Sequence, residues 1–346
     1  MKSKNALVTG GSGYFGEILV MKLIDNGFNC VVFDINKPSK KIQNINFIQG
    51  DIRDEKAVIK ACKNIDYVFH NVAQVPLAKN KKLFKEVNFN GTENILKASL
   101  KNKIKHFAYT SSSAVFGIPK VNPVTETTKP IPGEEYGKAK LEGENLVHQY
   151  SKIGLKTSII RPRTILGHGR LGIFQILFEW VYQGKNIPVF DGGNNIYQFV
   201  HSDDLADAII KSIKIKESSV FNVGAEKFCS MKETLEFLIE KVDSKSRIKS
   251  LKSEYIIPIM KIASYLGLSP LGKYHSMMYG KSMFFDTSKS KKELLWNANF
   301  SNQEMILESY QDYVKHRNYH FQNDEKKSLH KSVIKQGVLN LLNYFI

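Results

Sequence analysis

Ala6-Leu7-Val8-Thr9-Gly10-Gly11-Ser12-Gly13-Tyr14-Phe15-Gly16 is the stretch on which the fold turns. Ala6 to Thr9 reads as a short buried strand, the glycines follow without a break, and Phe15, Ile18, Leu19 and Leu23 recur behind them at helical spacing. Each glycine has its own work in a strand-to-helix turn. Gly10 makes the tight turn, Gly13 lets backbone approach a pyrophosphate, and Gly16 lets the helix pack closely on the strand. The helix N-terminus then presents free N–H groups and the positive end of its dipole to an anion. Gly10, Gly13, Tyr14, Phe15 and Gly16 are therefore the expected contacts of a dinucleotide, and Gly27 is a suitable helix stop.

Outward from this loop, Cys30 to Phe33, Asn46 to Ile48, Tyr67 to Val72, Phe107 to Thr110 and Thr157 to Ile160 read as further strands. Helical stretches near 15 to 27, 54 to 63, 82 to 102 and 136 to 153 alternate with them, which is the pattern of an α/β protein with a parallel sheet. After Pro162 the rhythm becomes irregular, with a helix near 173 to 184, a strand at Gln198 to Val200 and a helix from about 203. Residues 1–162 are read as the cofactor domain, its sheet completed by parts of 198–224. Residues 163–317 are read as the substrate-binding region, and 318–346 as a polar linker with a basic amphipathic C-terminal helix.

Asp34 closes the second strand at the spacing where a carboxylate accepts hydrogen bonds from the adenosine ribose and repels an extra phosphate, so NAD is expected rather than NADP. Asp51, after the third strand, stands where it could meet the adenine amino group.

The composition fits a globular chain of 346 residues, with 42% hydrophobic and 24% charged residues. Three scattered cysteines, Cys30, Cys62 and Cys229, offer neither a disulfide framework nor a metal clamp, and the expected setting is reducing and cytoplasmic. The net charge of +17 raises the question of nucleic acid, but only six of the 50 basic residues are arginines and no nucleic-acid-binding motif accompanies them. A solvated lysine surface is the reading adopted. Val333, Ile334, Val338, Leu339, Leu341, Leu342, Phe345 and Ile346 share one face of a possible tail helix, suited to peripheral membrane contact or to docking on protein. Tyr255 to Leu268 is apolar but too short to span a membrane.

The chemistry is carried by Tyr136-Gly137-Lys138-Ala139-Lys140, which puts a phenol and an ammonium four apart on one helix face. A free tyrosine titrates near 10, so a base useful at neutral pH needs nearby positive charge, from Lys140 and a nicotinamide ring. Thr110-Ser111-Ser112-Ser113 stands at the C-terminal end of the fifth strand, where such sheets bind ligands.

With these pieces together, the chain resembles the extended short-chain dehydrogenase/reductase superfamily, in its NAD-dependent epimerase/dehydratase branch. The matching residues run through the glycine loop, Gly50 to Asp54, His70 to Ala73, Asn88 to Thr92, Tyr109 to Gly117, Tyr136 to Lys140, Arg161 to Thr164, Phe199 to Asp204 and Asp286 to Lys289. The resemblance implies a Rossmann-type doubly wound sheet with a smaller, mainly C-terminal substrate region. It implies Tyr136 as general base and acid, Lys140 as ligand of the nicotinamide ribose and activator of the tyrosine, and Ser112 as hydroxyl partner with Ser111 as fallback. Asp51, Ile52, Ala73, Asn88, Ser111 and backbone at Pro162 would line the cofactor groove. A homodimer through the helices near 82 to 102 and 136 to 153 is implied as well.

The substrate is where the pattern departs. The family's two diphosphate-binding arginines fall here on Tyr197 and Met278, and Thr164 stands where many relatives have asparagine. Arg163, Arg170 and Lys281 are the candidate replacements, together with Thr164 and Tyr197 themselves. Ser113 and Ala114 hold the positions where 4,6-dehydratases need an acidic pair, so dehydration is not expected. The expected function is an NAD-dependent sugar epimerase, acting through a keto sugar at C4 of a nucleotide-linked or lipid-linked substrate. The alternatives are a 3β-hydroxysteroid dehydrogenase-like oxidoreductase and, third, a non-catalytic NAD sensor. Among the remaining residues, Ser202 and Asp203 are read as helix caps, His201 as a structural histidine and Arg161 as an anchor of the domain junction. His168, between two glycines, borders the site, and no metal site is expected.

Overall fold

The computed structural model describes residues 4–39, 42–43, 45–74, 83–170, 173–258 and 278–322. The tail face from Val333 to Ile346 and residues 259–268 of the apolar stretch from Tyr255 to Leu268 lie outside them. Among the described residues no helix is long and apolar enough to cross a membrane.

Seven parallel strands form the main sheet: β1 (Lys4–Thr9), β2 (Phe28–Asp34), β3 (Asn46–Gln49), β4 (Tyr67–His70), β5 (His106–Thr110), β6 (Thr157–Pro162) and β10 (Ser219–Val223). Their spatial order is β10-β6-β5-β4-β1-β2-β3. The chain runs outward from β1 to β3 and then crosses back to β4, which makes the gap between β1 and β4 the switch point where such sheets open a crevice. The strand at the end of the sheet comes from Ser219–Val223; the one expected near Gln198 to Val200 is Phe199–His201 (β9), which pairs instead with Thr164–Leu166 (β7). A further pair joins β8 (Ile187–Phe190) to β11 (Ile248–Leu251).

Side chains alternate across β1 and so divide the core into two layers. Ala6 and Val8 join α1 (Tyr14–Asp25) and the later helix Ser202–Ser212 on one face. Leu7 joins α2 (Glu55–Ala61), α3 (Thr92–Lys101) and α4 (Glu135–Lys152) on the other. The strands are apolar on both faces because both are covered, which explains why they read as runs rather than alternations. The helix expected over 82 to 102 begins as a π-helical segment at Phe84–Gly91 before becoming α3. A third core layer packs α5 (Ile173–Tyr182), α7 (Met231–Lys241) and α9 (Asn302–Gln322) around the smaller sheets, with Phe178, Phe199, Leu238, Met305 and Tyr313 at its centre, while α6 (Ser202–Ser212) and α8 (Ser288–Leu294) belong to the layer of α1.

Candidate active site

The glycine loop behaves as its spacing predicts. Gly10 adopts φ +71, which a side chain would strain, and its amide donates to the Phe33 carbonyl at the end of β2. A Cβ on Gly16 would lie 2.0 Å from the Gly10 carbonyl oxygen, so helix and turn can approach only without one. Gly13 meets nothing closer than that same oxygen at 3.2 Å and carries no side-chain cap, leaving the helix N-terminus open to an outside group. Asp34 accepts from Ser12 N–H at 3.1 Å and Asn36 N–H at 2.9 Å, and burial pushes its carboxyl up against those hydrogen bonds. Its carboxylate thus lies beside the loop, at the end of β2, where a ribose is held in this kind of crevice. The cradle fits the pyrophosphate and ribose of NAD.

Other groove residues are placed less directly. Ile52 is buried, and Asp51 is engaged by Arg53 in a bidentate pair of 2.7–3.1 Å that also reaches Glu86. Asn88 is committed to the loop after β4, accepting from Gln74 N–H at 2.7 Å and donating to the Gln74 carbonyl at 3.2 Å, so it shapes the segment that contains Ala73. Tyr14 and Phe15 turn their rings into the core, which leaves their backbone as the part that can meet a phosphate.

The candidate catalytic residues gather at the C-terminal end of β5. Lys140 is 3% exposed; its ammonium donates to the Thr110 carbonyl at 2.7 Å and lies 4.9 Å over the Tyr109 ring. Burial lowers its pKa to about 7. Tyr136, half-buried one turn earlier, packs against the apolar cluster of Ala114, Val115, Met283 and Phe285. Glu134, which the sequence reading passed over, sets the start of this helix: its carboxylate accepts from Tyr136 N–H and Gly137 N–H, both at 2.7 Å. An acidic residue just ahead of a helical run was the available signal. Ser112 accepts from Ala114 N–H at 3.1 Å, and its own O–H remains to be donated.

Three expectations are corrected here. Ser111 is no fallback for Ser112, because its hydroxyl donates to the buried Glu144 carboxylate at 2.5 Å, which Arg161 grips at 2.6 and 2.8 Å. Ser202 is the first residue of its helix and not its cap; the cap is His201, whose Nδ1 accepts from Asp203 N–H at 3.2 Å. Nothing in the sequence marked Glu144, since a single carboxylate on a helix face shows its partner only in space. Arg161 is committed to Glu144 and, at 3.4 Å, to the Glu126 carbonyl, both within residues 1–162, so these contacts tie the cofactor region together and not the domain junction.

The substrate candidates split into groups. Arg163, Thr164 and Tyr197 converge: the Tyr197 and Thr164 hydroxyls are 2.8 Å apart, and the Arg163 guanidinium lies 4.7 Å over the Tyr197 ring. Arg163 is 1% exposed and its Nη1 donates to Ser113 at 2.9 Å, yet its Nε and Nη2 have no hydrogen-bond partner and no carboxylate pairs with it among the described residues. Arg170 stands apart, 5.4 Å over the ring of Tyr14. Lys281 is half-buried near Asp191, whose carboxyl is held low by hydrogen bonds from Ser253 and, more weakly, by the Lys281 charge.

His168, His201 and Glu308 come together with ligand atoms within 4.8 Å, a cluster that sequence spacing did not reveal. Because His201 Nδ1 is occupied as an acceptor, its proton sits on Nε2 and is given to Glu308 at 2.8 Å. In that tautomer the ring has no lone pair for a metal, and the cluster is a hydrogen-bonded clasp between the β9 end and α9.

Comparison with known proteins converges on one family. The profile of the NAD dependent epimerase/dehydratase family matches residues 6–224. A protein of Sinorhizobium fredii known only as the uncharacterized y4nG is 50% identical over 342 residues, spanning 99% of this chain and 86% of that one. A putative UDP-glucose 4-epimerase of Methanocaldococcus jannaschii is 30% identical over 247 residues, 67% of this chain and 80% of its own length. Among solved structures, the UDP-glucose 4-epimerase of Thermotoga maritima, determined with UDP-glucose, superimposes with a TM-score of 0.74 at 24% identity, covering 90% of this chain and 99% of that one. The chain belongs to the NAD-dependent epimerase/dehydratase family and is an NAD-dependent enzyme of the extended short-chain dehydrogenase/reductase type.

Proposed function

We propose that this enzyme epimerises a sugar hydroxyl, at C4 of a nucleotide-linked or lipid-linked sugar. The observation that supports this reading is that Tyr136 packs on Ala114 and Val115, just after Ser112, while Lys140, one turn further on the same helix, donates to the Thr110 carbonyl at the end of β5. Bound NAD supplies a hydride acceptor and donor. The phenolate of Tyr136 takes the proton of the reacting hydroxyl and, as the phenol, later returns it, while Ser112 donates its O–H to the same oxygen and fixes its position. Lys140, held by the Thr110 carbonyl, contributes positive charge that favours the phenolate.

Arg163 is the substrate-facing cation in this scheme. Its position next to the Ser112 neighbour Ser113, with two donors unpartnered, suits an anionic or hydroxyl-rich substituent in place of the arginines that Tyr197 and Met278 replace. Tyr197 and Thr164 form the adjoining hydroxyl pair. A second reading draws on a different observation: Met278, Met283 and Phe285 are buried together beside Tyr136, an apolar wall that suits oxidation of a hydrophobic, steroid-like alcohol.

Proton NMR of the holoenzyme with UDP-hexoses, UDP-N-acetylhexosamines and UDP-hexuronic acids separates the two. A C4 epimer that appears with the wild-type protein and disappears in Tyr136→Phe is the expected result. Net ketone from a sterol-type alcohol, with no epimer from any sugar, would replace the first reading by the second.

A further inference from the structure

Residues 117–133 join the short turn that follows Ser112 to the helix that carries Tyr136 and Lys140. They expose aliphatic side chains: Ile118 is 47% exposed, Val121 73% and Ile131 57%. No other stretch of that length among the described residues exposes three large apolar side chains. Single exposed apolar residues are ordinary on a protein surface, whereas a group of them marks a contact surface.

The group stands on a fixed frame. Gly117 takes φ +59, and a Cβ on it would lie 2.4 Å from the Ile131 carbonyl oxygen, so the two arms of the segment touch where Ile118 and Ile131 emerge. Beside Val121, the Asn122 Oδ1 accepts from Phe284 N–H at 3.1 Å and its Nδ2 donates to the Ser282 carbonyl at 3.3 Å. Val124 N–H then donates to the Phe284 carbonyl at 2.8 Å.

The charges around these side chains are of one sign. Lys120 lies between Ile118 and Val121, and Lys129 stands two residues before Ile131; both are exposed, and neither has a carboxylate partner among the described residues. Glu126, the one acid in the segment, is drawn inward, its Oε1 accepting from Asn222 N–H at 2.9 Å. Pro119, Pro123, Pro130 and Pro132 have no N–H, so moving the segment into less polar surroundings strands fewer donors. Surfaces that meet protein are rich in aromatic residues and arginine and poor in lysine. Isoleucine, valine and unpaired lysine suit anionic lipid instead, where aliphatic side chains enter the boundary of the acyl chains and the ammonium groups stay with the phosphates.

We propose that residues 117–133 dock this enzyme on an anionic lipid surface, with Ile118, Val121 and Ile131 inserted and Lys120 and Lys129 as the cations. Docking there sets Ser112 and Tyr136, at the two ends of the segment, beside the membrane, which suits the lipid-linked form of the substrate. That last step rests on the epimerase reading; the docking itself does not.

The test is sedimentation of the full-length protein with vesicles of phosphatidylcholine alone and of phosphatidylcholine mixed with phosphatidylglycerol. Wild type is compared with a variant combining Ile118→Ser, Val121→Ser and Ile131→Ser, with a variant combining Lys120→Glu and Lys129→Glu, and with Tyr136→Phe; the mass of each in solution is measured without vesicles. Wild type should prefer the anionic vesicles, and both loop variants should bind them on the order of tenfold or more weakly at an unchanged melting temperature. Tyr136→Phe should bind as wild type does, which separates docking from any failure of the epimerase reading. Should the serine variant fail to fold, the lysine variant alone decides. No binding by wild type, equal binding to both kinds of vesicle, or loop variants that bind as wild type does would overturn the proposal. A serine variant whose only change is a smaller mass in solution overturns it in favour of a second copy of this chain.

Discussion

Two walls of one crevice are built by opposite means. The cofactor wall, from Gly10 to Asp34, is mostly backbone: a positive φ, a helix end and a turn that has no room for a Cβ. The wall proposed to meet substrate is made of side chains from distant parts of the chain, with Arg163 bonded to Ser113 and Met283 and stacked on Tyr197 and Phe285. The contrast is sharpest between two neighbours on β6 and its end. Arg161 is buried with a carboxylate gripping it, and Arg163, two residues later, is buried with none among the described residues. A charge that is neutralised within the protein holds the fold together; one left unneutralised is kept for something that arrives.

The strongest test of this contrast acts where the two walls meet. Tyr136→Phe removes only the phenolic oxygen and is expected to reduce turnover roughly a hundredfold to ten-thousandfold while leaving NAD content and the melting temperature in place. A variant that keeps near-full turnover would mean that the site's proton moves elsewhere.

Next come the two arginines. Glu144→Ala strands the Arg161 charge in the core and should cost roughly 3–5 kcal/mol in a urea titration. Arg163→Met should cost far less, or stabilise by about 1 kcal/mol or more, because a thioether replaces an uncompensated charge, while substrate binding is lost. Equal destabilisation by the two would dissolve the distinction between them.

On the cofactor wall, Gly16→Ala forces a methyl group against the Gly10 carbonyl and should destabilise by about 1–3 kcal/mol, with reduced NAD content measured on the same preparation. A fully stable, NAD-replete variant would show that the turn has slack which the geometry denies.

The last test is a pH dependence. The Lys140 pKa is lowered to about 7 in the fold from an ordinary value of 10.5, so between those values the unfolded chain binds more protons than the folded one. Stability of cofactor-stripped protein should therefore rise as pH increases above about 7, and Lys140→Met should flatten the curve. A slope of the opposite sign in the wild type would mean that the ammonium is better neutralised than its burial implies.

How much of this was legible beforehand follows the same division. The order of strands β1 to β6, the glycine turn, Asp34 and the Tyr136/Lys140 spacing could be read because each depends on residues close in sequence or on a fixed helical period. Ser111 was misjudged for the opposite reason: its partner Glu144 is 33 residues away, and nothing local tells a free hydroxyl from a committed one. Ser202 was taken for a cap because serine favours that position, whereas the histidine before it supplies the acceptor. The strand near 198 was seen, but its pairing with Thr164–Leu166 rather than with the main sheet depends on register across a chain crossing.

The sequence by itself determined the sheet, the glycine turn and the spacing of Tyr136 and Lys140 on one helix, since these follow from backbone geometry and periodicity. Only the tertiary structure decided which buried charges are neutralised: Arg161 by Glu144, and Arg163 and Arg170 by no acid among the described residues. Electrostatic compensation depends on distance in space, and that distance exists only once the chain has folded.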